Sequence, residues 1–219
     1  VTSRIMAAKL SEKLGQQFVI ENMPGPGGIN AARAVITAPA DGYTLGLVTN
    51  GTSISVAAFK KLPFDPVKDF APVSMVGTFD LVFAVDAKSP FKTLADFMAA
   101  AKANPGKFNV GTVLLGGTQN LGAELFKSMA KIDIVHVPYR GLGPALIDLV
   151  ADRIQIVFSD MAGLLPYVQS GKLRALAVTS SQRWRDLPEL PTMSEAGVPG
   201  YDATSWYGIL GPANLPKDI

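Results

Sequence analysis

Between Leu94 and Val178 the chain repeats one pattern: a segment with apolar residues at helical spacing, then a short apolar run. Leu94–Ala103, Gln119–Ala130, Ala145–Ala151 and Leu164–Ser170 read as helices. Phe108–Gly111, Ile134–Val137, Ile154–Phe158 and Arg174–Val178 read as strands. Parallel strands need a crossover to connect them, and the crossover helix covers the sheet face. The pattern therefore predicts an α/β fold built on a mostly parallel sheet with flanking helices.

The flanks are less regular. Residues 4–14 read as a helix stopped by Gly15, QFVIEN (17–22) as a strand, and MPGPGG (23–28) as an irregular loop. Ile29–Thr37 reads as a helix and Tyr43–Val48 as a strand. Residues 60–72 form a proline-marked connection, and short strands follow near 73–77 and 81–85. Pro188, Pro191 and Pro199 make 183–200 a long irregular stretch before a last strand near Tyr207–Leu210. This order predicts two lobes. The first holds 1–80 with 203–219, the second holds 81–202, and the two crossings act as a hinge. An α/β lobe normally opens on a strand, whereas this chain opens inside a helix. Its last strand is followed by GPANLP without helices to cover it, so the first lobe is expected to be incomplete at both termini.

Composition removes several classes of function. The chain is 48% hydrophobic and 17% charged, enough for a packed core. Its 20 basic and 18 acidic residues form no basic stripe, so no nucleic-acid partner is expected. The absence of cysteine excludes disulfides, thiolate metal sites and a cysteine nucleophile. No apolar run reaches the roughly 18 residues that span a bilayer. No signal peptide is visible. His136 is the single histidine, lies within a strand pattern and belongs to no recognisable triad; a structural role is expected. Without a poised base, a nucleophile or histidine ligand spacing, neither catalysis nor a cofactor or metal is expected. Trp184 and Trp206 read as packing residues, with only Trp206 a candidate for the ligand site.

In open α/β sheets, ligands sit beyond the carboxyl ends of strands, and four segments there carry polar or glycine residues. Gly116, Gly117, Thr118, Gln119 and Asn120 precede or open a helix. Glycines allow close backbone approach, and the helix start favours an anion. Thr118 either caps that helix or donates its hydroxyl to a carboxylate. Thr49, Asn50, Gly51, Thr52 and Ser53 follow a strand and read equally as a turn or as ligand contacts. Tyr139 and Arg140 follow the strand ending at Val137. Tyr139 is a candidate ligand contact, and Arg140 reads as a surface residue or as a fork for a carboxylate. Asp160 either accepts from a ligand or caps the next helix.

Several longer stretches, in order, resemble the Bug-type solute receptors, the periplasmic binding components of tripartite tricarboxylate transporters. They are LSEKLGQQFVIENMPGPGGINAARAV, PADGYTLGLVTN, GGTQNLGAELF, HVPYRGLGPALIDLVADRIQIVFSD, SGKLRALAVTSSQRWRDLPELPTMSEAGVPGY and WYGILGPANLP. The resemblance implies a two-lobed periplasmic-binding fold of type II that closes on a dicarboxylate, tricarboxylate, acidic amino acid or aromatic acid. It implies a monomeric periplasmic protein that is not inserted in the membrane and delivers its ligand to permease subunits. It also supports Thr49, Asn50, Tyr139 and Asp160 as contacts. Asn120 stands where these receptors often carry His, and Arg140 where Lys is common. The resemblance further implies a glycine-rich loop before Val1 that supplies half of the carboxylate grip, and more chain after Ile219, so weak binding or none is expected of the chain as it stands. The competing readings are the effector-sensing domain of a transcription regulator, with an upstream DNA-binding module, and a decarboxylase or hydrolase on the same scaffold.

Overall fold

The structure is a computed structural model that describes residues 2–23, 28–113 and 117–217. The chain divides into two compact units. One holds the residues up to Val76 with those from Tyr207 onward, and the other holds Gly77–Trp206.

The first unit contains α1 (Thr2–Leu14), α2 (Ile29–Ile36), β1 (Gly46–Thr49), α3 (Asn50–Ala58), most of β2 (Phe70–Phe79) and most of β8 (Ser205–Pro212). Its sheet has the order β1-β8-β2, and β1 runs antiparallel to β8 with Leu47 opposite Ile209. A small core of Ala32, Val35, Phe64 and Phe70 seats α2 on this sheet. The approach is close. A methyl group on Gly46 would stand 2.6 Å from a Val35 methyl, so β1 needs glycine there for reasons of space. Two expectations fail in this unit. Residues 17–22 form no strand: the Phe18 N–H bonds to the Ser11 hydroxyl at 2.8 Å, and no described strand supplies a ladder for it. Residues 49–53, read equally as a turn or as ligand contacts, form no separate turn: Thr49 caps α3 and residues 50–53 open it. Residues 24–27 of the loop read as irregular lie outside the described residues.

The second unit is a five-stranded sheet of order β5-β4-β6-β3-β7. Its strands are β3 (Leu81–Asp86), β4 (Phe108–Thr112), β5 (Ile134–Pro138), β6 (Ile156–Asp160) and β7 (Leu173–Val178). The helices α4 (Leu94–Ala103), α5 (Thr118–Ala130), α6 (Leu142–Val150) and α7 (Met161–Gln169) connect them. β4 is parallel to β5 and β6, while β3 runs antiparallel to β6 and β7. The sheet is therefore mixed: β3 enters directly from β2 with no crossover helix, and points the other way.

Every residue of β3 is buried because both faces are covered. Leu81, Phe83 and Val85 face one core with α4 and α5, and Val82 and Ala84 face the other with α6 and α7. Phe83 meets Phe97, Phe126 and Phe158 edge-on with ring centroids 5.2, 5.4 and 5.2 Å apart, the arrangement that aromatic quadrupoles favour. α6 begins at Leu142 and α7 at Met161, each about one turn earlier than the apolar spacing indicates. Pro144 sits in the first turn of α6, where a missing N–H costs no helical bond, so its presence does not delay the start.

Candidate functional site

In the second unit β5, β4 and β6 are neighbours and parallel, so their carboxyl ends share one edge of the sheet. That edge gathers Tyr139 after β5, residues 117–120 after β4, and Asp160 at the end of β6. The fold thus brings three of the four sequence-predicted segments to one side of one sheet. Thr49, Asn50 and Gly51 lie at the β1–α3 junction of the first unit. Gly116 lies outside the described residues.

α5 opens on Gly117, which occupies the cap position with φ −77° and ψ 167° and offers no side-chain cap. Thr118 is the first helical residue and so does not cap it. Its hydroxyl oxygen instead lies 3.3 Å from that of Ser205, which is 1% exposed. No acidic side chain occupies the first turn, so the positive end of this 13-residue helix is not offset by its own carboxylates. Gln119 is partly exposed on the same turn.

Asn120, 7% exposed, turns its carboxamide toward β5, where Nδ2 lies 3.0 Å from His136 Nδ1. His136 Nε2 stands 2.8 Å from Glu124 Oε1, but the N–H axis is not aligned on that oxygen as a hydrogen bond requires. Burial holds the imidazole below its ordinary pKa. Glu124 opposes that shift, and Lys127 adds to it.

Tyr139 is fixed at both ends. Its N–H donates to the Thr112 carbonyl at 2.8 Å, and its hydroxyl donates to Asp148 Oδ2 at 2.8 Å. Burial, with Asp148 adjoining, pushes the phenol up to about 12. Asp148 also accepts from Arg153 at 2.9 Å, and these two bonds lower its carboxyl pKa. The phenol proton is thus committed to Asp148 on α6, and the side chain packs against the core that α6 and α7 share with the sheet. Arg140 is exposed, in keeping with a surface position.

Asp160 caps α7: its Oδ1 accepts from the Gly163 N–H at 2.8 Å. Thr49 caps α3 in the same way, accepting from Gly51 at 3.1 Å. Behind it Thr52 and Ser55 are buried, and the Ser55 hydroxyl donates to the Thr52 carbonyl at 2.6 Å. Trp184 packs against the α6–α7 core. Sequence reading missed Ser205, Asp148 and the approach of His136 to Asn120. Ser205 and Thr118 are 87 positions apart, and no local spacing signals that contact. Among the described residues no group of acidic and histidine side chains is arranged to hold a metal ion. No described helix is long and apolar enough to cross a membrane.

The model of the tripartite tricarboxylate transporter family receptors matches residues 2–219. A curated relative from Pseudomonas sp. (strain P51), from the tcbD–tcbE intergenic region, is 35% identical over 218 residues, covering 99% of this chain and 65% of the relative. The chain thus spans somewhat less than two thirds of that relative's length. A solved structure from R. palustris with adipate is 36% identical with a TM-score of 0.87, covering 99% of this chain and 73% of that one. MatC from Rhodopseudomonas palustris, solved with bound malate, is 32% identical with a TM-score of 0.86, covering 99% and 74%.

Proposed function

The chain belongs to the tripartite tricarboxylate transporter receptor family, and from that premise we propose that it captures a small carboxylate and presents it to membrane permease subunits without altering it. The observation that carries this reading is the shared edge of β5, β4 and β6. There a glycine-led helix with no acid in its first turn opens beside Thr118, Asn120 and Tyr139. Main-chain amides at such a helix end suit a carboxylate, which needs several donors and no cationic side chain. Gly116, Gly117, Thr118, Gln119, Asn120 and Tyr139 are the proposed contacts of the second unit. Thr49, Asn50 and Gly51 are those of the first. Asp160 is proposed to act near the ligand through its second carboxylate oxygen while the first holds the cap.

The proteins solved with adipate and malate are relatives at 36% and 32% identity, so linear dicarboxylates are the first class to test here. We expect the chain to act in the periplasm as a monomer. Calorimetric titration with adipate, malate, citrate, glutamate and benzoate is expected to give saturable binding of at least one acid, with that acid recovered unchanged. Conversion of any acid, or failure of every acid to bind at millimolar concentration both to this chain and to the chain extended to the length of its relatives, would overturn the reading. Sedimentation of the purified chain tests the monomer.

A further inference from the structure

We propose that His136 is a positioning residue for the first turn of α5: in its neutral form, protonated on Nε2, it accepts the Asn120 carboxamide on Nδ1 and holds that side chain in one orientation. Its bearing on carboxylate affinity rests on the receptor reading above.

The geometry constrains the protonation state. With the carboxamide oriented as it stands, Asn120 Nδ2 donates at 3.0 Å, His136 Nδ1 offers its lone pair, and the ring proton sits on Nε2. Nε2 then carries its proton 2.8 Å from Glu124 Oε1, off the hydrogen-bond axis of that oxygen. A second proton would place an N–H on Nδ1, donor against donor. The carboxamide would then have to turn over or leave. Asn120 is the third residue of α5 and is 7% exposed, so a turned carboxamide would exchange its donor and its acceptor within the buried first turn.

Among the described residues the charged groups around the ring are few. Glu124 and Lys127 face it from α5, and Lys127 is itself paired with Asp133 at 3.1 Å just before β5. From β4 the partner opposite His136 is Val110, which carries no charge. Glu124 favours the imidazolium, while burial and Lys127 disfavour it, and the balance keeps the ring neutral below its ordinary range.

The chain has a single histidine, so imidazole NMR reads this residue without ambiguity. In the unaltered chain, nitrogen shifts are expected to report the Nε2–H tautomer, with a titration midpoint below that of a free histidine. Asn120→Asp places an anion against Nδ1 and is expected to raise the midpoint by about one unit or more. The Nδ1–H tautomer, or an Asn120→Asp midpoint unchanged from the unaltered chain, overturns the proposal.

Adipate titration supplies the functional arm. Protonation of His136 is expected to weaken binding about three- to tenfold between about pH 7.5 and about pH 5.5, the effect of losing one hydrogen bond. His136→Asn puts a non-titrating acceptor near the Nδ1 position. It is expected to retain affinity and lose the pH dependence, whereas His136→Leu weakens binding at every pH. If His136 acted only through its charge, adipate would bind more tightly at low pH, and that result also overturns the proposal. If no form binds adipate, the ligand reading fails for this acid, and the tautomer and the Asn120→Asp shift still decide whether His136 positions Asn120.

Discussion

Single side chains in this protein carry structural duties where their sequence positions suggest ligand contact. Asp160 is the clearest case. Asp160→Ala removes the bond to the Gly163 N–H and is expected to cost about 1 kcal/mol, read as a lower midpoint in urea. Asp160→Asn keeps an acceptor and is expected to hold stability near that of the unaltered chain. Tyr139 gives an optical test. Absorbance at high pH is expected to show its ionisation near 12, and Tyr139→Phe deletes that step. Tyr201 is also raised, through burial and then Asp202, and its hydroxyl donates to the Gly122 carbonyl at 2.8 Å. Its step therefore persists in Tyr139→Phe.

His136 sets the sign of one pH effect on stability. Its folded pKa lies below the unfolded value, so the unfolded chain binds more protons as pH falls through the histidine range. The contribution is complete above the unfolded pKa and is lost as pH drops through the folded one. Thermal midpoints of the unaltered chain are expected to fall over that interval more than those of His136→Asn.

At the scale of elements, β3 and α4 show how the core is held. β3 is buried on both faces, and Phe83 packs against three other rings. Phe83→Ala is expected to cost about 3–5 kcal/mol, from lost transfer energy and from the cavity left behind. Denaturant unfolding measures it, and a loss below about 1.5 kcal/mol would mean that the ring cluster collapses to fill the gap. α4 begins with a reciprocal cap: Asp96 N–H donates to Thr93 Oγ1 at 3.1 Å, and Thr93 N–H donates to Asp96 Oδ2 at 2.8 Å. A Thr three positions before an Asp, followed by apolar residues, is a local signal, and the expected span of α4 matches the observed one. α3 offered no such signal. Gly51, Thr52, Ser53 and Ser55 are weak helix formers, and the helix exists because Thr49 caps it and Thr52 and Ser55 are buried.

At the scale of the whole chain, the two units differ in how much they bury. Among the described residues, the core cluster of the first is Ala32, Val35, Phe64 and Phe70, whereas Val19, Tyr43, Val67 and Met75 stand exposed. The second has two continuous cores, one on each face of its sheet. Amide exchange is expected to be slowest in β3, β4 and β6 and markedly faster in β1. Within the second unit, Thr179 is fully buried and joins the residues beside both crossings. Its hydroxyl accepts from the Leu81 N–H at 2.9 Å and lies 3.1 Å from the carbonyl oxygens of Leu81 and Ala203, to one of which it donates.

The sequence by itself determined the α/β class, the helix–strand order from Leu94 to Val178, and which residues follow the carboxyl ends of strands. Those features rest on local periodicity and on caps a few residues long, which the chain carries wherever it folds. The tertiary structure decided the rest. It reversed β3 within the sheet and left residues 17–22 without a ladder. It committed Asn120 to His136, Tyr139 to Asp148 and Thr118 to Ser205. The physical reason is range: a strand needs a partner and a polar side chain needs a donor or acceptor, and here the sheet brings those partners from positions that no local pattern in the chain connects.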